Sequence, residues 1–245
     1  MYFGRRILTV LKVDRRNRWI VPALATTALT LVSHRAEAQT TISTELTAVR
    51  TLDVSVEFMG SIARRASGGF EWYLTDLTFG VTPRLEIGAG WSAVVPGSSG
   101  EPHEVIPHAK FVAFESASTT LAAGGAWHLP TPSRADSRGY GWTYVAVSRT
   151  IDSAHPITLS AGAYALVRRD RSVGDSARGI SLGWDQSLSD RWSYSLEWIS
   201  GTNWYGYLSP GVTCSSGAHW FTGGYCVGND RSANHGPCFS AGRTF

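Results

Sequence analysis

Lysine is almost missing from this 245-residue chain: there are two, and only Lys110 lies beyond residue 38. Arginine does not make up the difference. Setting aside the seven basic and two acidic residues of positions 1–38 leaves 15 basic against 17 acidic side chains, a balance of about −2. Nucleic-acid binding needs clustered Lys and Arg, so no nucleic-acid partner is expected. Beyond the first forty residues no run of about 18 apolar residues occurs, which excludes a helical membrane span. Ala, Leu, Glu and Lys never cluster with a period of about 3.6, so little helix is expected. Cysteine is confined to Cys214, Cys226 and Cys238. His103 and His108 sit on opposite faces of one strand, and no Cys/His spacing matches a metal site. Neither a metal nor any other cofactor is implied.

The N-terminus carries export signals. Arg5, Arg6, Lys12, Arg15, Arg16 and Arg18 form a basic region, Ile20 to Val32 an apolar one, and Ala36-Glu37-Ala38 a small-residue cleavage site before Gln39. The apolar stretch is too short to span a bilayer as a helix. Residues 1–38 therefore read as a cleaved signal peptide, 39–50 as a polar periplasmic lead-in, and 51–245 as one domain.

What the domain has in abundance is alternation. After the turn Thr82-Pro83-Arg84, residues Leu85, Ile87, Ala89 and Trp91 point one way and Glu86, Gly88, Gly90 and Ser92 the other. That is the period of a strand. A carboxylate and two glycines on the polar side suit a wall with hydrocarbon outside and water inside. The same period recurs in Leu52–Phe58, Phe70–Val81, His103–Glu115, Thr120–Leu129, Ile157–Arg168, Ile180–Asp185 and Trp192–Trp198. Weaker strands are read at Tyr205–Cys214, Trp220–Val227 and Cys238–Phe245. Trp142–Ile151 is a strand whose faces the pattern leaves ambiguous. Short connections alternate with longer polar ones, except near the C-terminus, where Thr202-Asn203 looks short and Ser216–His219 does not. Trp192 and Trp220 are expected in one aromatic girdle, and Trp91, Trp127, Trp142 and Trp198 in the other. The sum is an all-β, antiparallel, up-and-down transmembrane barrel of about twelve strands in the bacterial outer membrane.

Strand parity places Asp53, Glu57, Glu86, His108, Lys110, Arg149, Arg168, Asp185 and Glu197 on the inner face, as a mixed-charge lining of a transport path. The alternative is that these groups pair with one another and plug the interior. Cys226 and Cys238 flank the last long loop symmetrically about Ser232, so a disulfide between them is expected, with Cys214 near the opposite rim and unpaired. His128 with Ser133, or His235 with Asn234 and Ser232, offers the makings of a serine hydrolase, without a local signature for one.

The Phe79–Trp91 hairpin resembles the outer-membrane transporter family associated with the meta-pathway of phenol degradation, a MetA-pathway-type barrel. In that family a strand ending in a Gly-Leu/Val-Thr turn enters a Leu-Glu-hydrophobic-Gly strand. His108-Ala109-Lys110-Phe111 and Trp127-His128-Leu129-Pro130-Thr131 match two further stations loosely, whereas GSSGEPHEV departs from the family's usual Gly-x-Gly-Asp-like run. Phe245 is similar to the C-terminal aromatic read by the barrel-assembly machinery, although Arg243 departs from the apolar residue usual there. The resemblance implies passive passage of small solutes, hydrophobic or aromatic ones among them. Partners would be outer-membrane lipid, the assembly machinery and the solute. Two other functions remain open: a lipid-modifying barrel enzyme, and a structural or adhesin-like barrel.

Overall fold

Residues 49–60, 71–95, 103–131, 139–167, 176–203, 205–229 and 235–245 are described by a computed structural model. The expected signal peptide, most of the lead-in and most of the long loops fall outside them, as do Arg168, Ser133, Ser232 and Asn234.

The described residues form twelve strands: β1 (Leu52–Gly60), β2 (Glu71–Thr82), β3 (Leu85–Val95), β4 (His103–Glu115), β5 (Thr119–Thr131), β6 (Tyr140–Ile151), β7 (Ile157–Val167), β8 (Arg178–Ser187), β9 (Trp192–Ile199), β10 (Tyr207–Ser216), β11 (His219–Gly228) and β12 (Gly236–Thr244). Each pairs antiparallel with its sequence neighbours, and β1 pairs with β12 to close the barrel. Closure leaves no open edge, which is what a sheet needs where no water can satisfy its backbone. The seam is finished beyond the last strand, where Phe245 N–H donates to Leu52 O at 2.9 Å and Leu52 N–H to Phe245 O at 3.2 Å.

Local chemistry sets the turns. Pro83-Arg84 joins β2 to β3, with Arg84 N–H donating to Thr82 Oγ1 at 3.1 Å. Ser116 and Thr119 exchange hydrogen bonds across the β4–β5 turn, and Ser189 Oγ accepts from the amides of Arg191 and Trp192 before β9. Between β10 and β11 the connection is only Gly217-Ala218, and Gly217 supplies the left-handed conformation (φ +60°) that such a tight hairpin requires. Contrary to the sequence reading, then, Ser216–His219 is a short turn and the β9–β10 connection, 200–206, is the longer one. The alternation is complete: short turns gather at the rim that holds both barrel termini, longer connections at the other.

Polarity is inverted relative to a soluble protein. Ile87, Val145, Leu159, Ile180, Leu182 and Phe221 are exposed on the outer face. Glu86 is 5% exposed and Lys110 7%, both on the inner face. A closed barrel with apolar side chains out and charged ones in is the arrangement of a membrane-spanning barrel. Phe79, Phe111, Phe114, Trp184, Trp192 and Phe221 cluster outside toward the short-turn rim, and Trp91 and Trp127 outside toward the long-loop rim.

Two tryptophans depart from the girdles expected of them. Trp142 is 3% exposed and faces the lumen, and Trp220 lies inward with its ring over Gly242, its cross-strand partner. Parity explains both, since Trp142 shares a face with Ala146 and Ser148, and Trp220 with Thr222 and Cys226. Arg243 faces outward at the short-turn rim, with its guanidinium 4.5 Å from the centre of the Phe245 ring.

Candidate functional site: the barrel lumen

The inner surface has two kinds of wall. Along β1–β5 it is charged. Glu86 and Lys110 are direct register partners on β3 and β4, with Nζ 3.1 Å from Oε1. One hydrogen-bonding step nearer the long-loop rim, His108 Nε2 lies 3.0 Å from Asp76 Oδ1, and Thr78 donates to the other carboxylate oxygen at 2.8 Å. His108 can lie flat along the wall because its partner across the ladder is Gly88, where a Cβ would collide with the imidazole. Gly90 does the same for Asp76 and Leu74. The two glycines of the founding hairpin are thus beds for ionisable side chains. Nearer still to the long-loop rim, His128 Nδ1 is 2.8 Å from Glu104 Oε2.

The wall from β6 onward carries Asp185 and Glu197 but is mostly aromatic, with two thiols. Trp142 stacks on Tyr164 with centroids 4.4 Å apart, Tyr140 stacks on His128 at 4.2 Å, and Tyr144 lies over Gly124. Ala146, Leu166, Ile199, Tyr207, Cys226 and Cys238 complete a packed inner cluster with Trp142 and Tyr164.

The residues singled out by sequence fall as follows. Asp53 is inward on β1 and accepts from the Thr244 hydroxyl across the closing seam. Glu57 is inward on β1, near Asp76 and Cys238. Asp185 points inward on β8. Glu197 is 3% exposed and accepts from Tyr207 OH at 3.1 Å. Arg149 is a correction: it lies on the exposed outer face of β6, in line with Val145, Val147 and Ile151. Its position two residues from the end of β6 accounts for this, because a long side chain there reaches the interfacial zone instead of hydrocarbon. Cys226 and Cys238 do meet, as their spacing about the last loop suggested. Their Sγ atoms are 2.7 Å apart and both buried, not joined as the disulfide expected of them, with Ser209 Oγ 3.5 Å from Cys226. Cys214 sits on the outward-facing parity of β10 and is free.

Sequence reasoning missed Asp76, which shares a face of β2 with Leu74 and Thr78, and Glu104, whose parity with Lys110 on β4 was available, and it weighed His128 for chemistry only as a catalytic candidate. Both imidazole nitrogens of His128 are engaged, by Glu104 and by Tyr205 Oη at 2.9 Å. Tyr205 was read as the first residue of the strand Tyr205–Cys214, whereas β10 begins at Tyr207 and leaves Tyr205 in the connection before it.

No family model and no curated protein matches the chain. Among solved structures it is similar to the KdgM porin in complex with disordered oligogalacturonate, at 12% identity over 80% of this chain and 98% of that one, TM-score 0.48. It is similar to an outer membrane channel from Pseudomonas putida F1, at 13% identity over 83% and 98%, TM-score 0.46. It is also similar to outer membrane phospholipase A from Escherichia coli, at 11% identity over 88% and 95%, TM-score 0.40. On its own geometry, the chain is a closed, twelve-strand, antiparallel β-barrel of outer-membrane architecture.

Proposed function

We propose that the chain is a bacterial outer-membrane barrel that acts as a passive channel for small solutes. One observation carries this reading: ionisable groups that would be costly to bury in hydrocarbon line the inside of a closed barrel whose outside is apolar. Passive passage requires no chemistry, only a lined path with weak contacts along it. The lining combines Asp53, Glu57, Asp76, Glu86, His108, Lys110, Asp185 and Glu197 with a facing aromatic wall. Such a surface suits solutes with an apolar or ring-shaped body and a few polar groups, the class that the hairpin's resemblance to the meta-pathway transporter family also implies. Arg168, on the same inward parity by sequence, belongs to this proposed lining.

The test is solute influx into proteoliposomes, comparing wild type with Glu86→Ala. The expected result is influx well above that of empty vesicles and altered by the substitution. Vesicles holding folded barrel that stay as tight as empty ones would contradict the reading. Hydrolysis of the vesicle lipid by the same preparation would favour a lipid-modifying enzyme instead.

A further inference from the structure

The β9–β10 connection does not stand clear of the barrel. Asn203 is 3% exposed, and its side-chain amide donates to Tyr164 Oη and Ser176 O, both at 2.8 Å. Its Oδ1 accepts from Tyr205 N–H at 2.9 Å. Asn229 Nδ2 donates to Gly201 O at 2.9 Å from the neighbouring connection. Gly201 takes a φ of +102°, and a Cβ there would lie 2.7 Å from Tyr164 Oη, so the chain turns inward at a point only glycine accommodates.

From this anchored segment Tyr205 reaches strands that are not its neighbours. Its hydroxyl is 2.9 Å from His128 Nε2 on β5 and 2.7 Å from Tyr140 Oη on β6. Its ring lies 4.3 Å from that of Trp142. Between β10 and β5 stand four strands, so these contacts cut across part of the lumen instead of following the ladder. With Glu104 ionised and His128 neutral, all the hydrogen bonds run one way: Tyr140 Oη–H to Tyr205, Tyr205 Oη–H to His128, and His128 Nδ1–H to Glu104. Both hydroxyls and both imidazole nitrogens have a partner, which holds the crossing in place.

We propose that Tyr205 is the size-determining residue of the lumen, a bar held across the path by His128 and Glu104. The proposal rests on the channel reading and adds to it where the path is narrowest and what sets its width. Glu104 is a positioning residue that acts through His128. Removing the ring opens the bar; removing only the hydroxyl frees one end of it.

Single-channel conductance of the purified, detergent-refolded full chain in planar bilayers tests this. The variants are Tyr205→Ala and Tyr205→Phe, with folding confirmed by circular dichroism. A several-fold rise in conductance for Tyr205→Ala is expected, together with admission of larger polyethylene glycols. Tyr205→Phe should show wild-type peak size with more frequent openings, and it carries the test if the alanine variant does not fold. A conducting wild type matched by both variants overturns Tyr205 as the bar and leaves the channel standing. Silence in wild type and in both folded variants overturns the bar and the channel together, whereas silence in wild type relieved by Tyr205→Ala supports both.

Discussion

Lys110 and Glu86 face each other directly across the β3–β4 ladder, their charged ends 3.1 Å apart and both nearly closed off from solvent. Attraction in such a place offsets desolvation only while both partners are present. Lys110→Met should therefore destabilise the barrel by about 3–5 kcal/mol, the usual cost of stranding one member of a buried pair. Adding Glu86→Gln to it should recover part of that loss. Equilibrium urea unfolding in lipid vesicles measures both, and additive losses would show that the two charges act independently.

Gly88 is expected to matter more than an ordinary strand glycine. A methyl group there meets the His108 imidazole and the Leu77 carbonyl, so Gly88→Ala must push His108 away from Asp76. A loss of about 1–3 kcal/mol is expected, as for other overpacked sites. Gly223 is the control, since a Cβ there makes only ordinary contacts of 3.6 Å and longer. Gly223→Ala should change stability by less than about 0.5 kcal/mol.

The outer face makes its own prediction. Val145 lies midway along β6 and is 53% exposed. A lysine at that depth should cost about 2–4 kcal/mol, whereas Arg149→Leu near the strand's end should change stability by only about 0–1 kcal/mol. Equal costs at the two positions would mean that neither faces lipid.

Cys226 and Cys238 are positioned for oxidation in the compartment an exported barrel crosses. Each thiol would lose a proton, and two electrons would pass to a disulfide oxidant by thiol–disulfide exchange. Protein isolated from cell envelopes and alkylated without reduction is expected to carry one alkyl group, on Cys214, and to gain two more after reduction. Three alkyl groups without reduction would rule the bond out.

Burial, with the Glu104 carboxylate behind it, pushes the Tyr205 phenol above its ordinary value. A pKa raised by folding stabilises the fold fully below the unfolded value, about 10, and that contribution fades as pH rises through the folded value. The phenolate absorbance of wild type minus Tyr205→Phe should stay near zero to about pH 10 and grow only beyond it. Ionisation of this tyrosine alongside exposed ones would show that the lumen around it is open to water.

The hairpin around Glu86 was fully legible, because strict alternation fixes both the strand and its facing. Strand number and most of the ladder followed from the same signal. Strand β6 resisted because both its faces mix polar and apolar residues: Trp142 and Tyr144 belong to the lumen, Thr143 and Arg149 to the outside. Pairings across the lumen were out of reach for a different reason. His128 and Tyr205 are 77 positions apart with no periodicity to relate them, and only barrel closure brings them together.

Inverted polarity is tested most directly by two adjacent positions on β6. In a Cys214→Ser/Cys226→Ser/Cys238→Ser background, Ala146→Cys and Val147→Cys would each carry a nitroxide spin label in reconstituted vesicles. The Val147 label should collide freely with dissolved oxygen and hardly at all with a water-soluble nickel chelate, while the Ala146 label should be shielded from lipid-dissolved oxygen. Equal, strong collision of both labels with the nickel chelate would contradict a barrel that turns its apolar face to lipid.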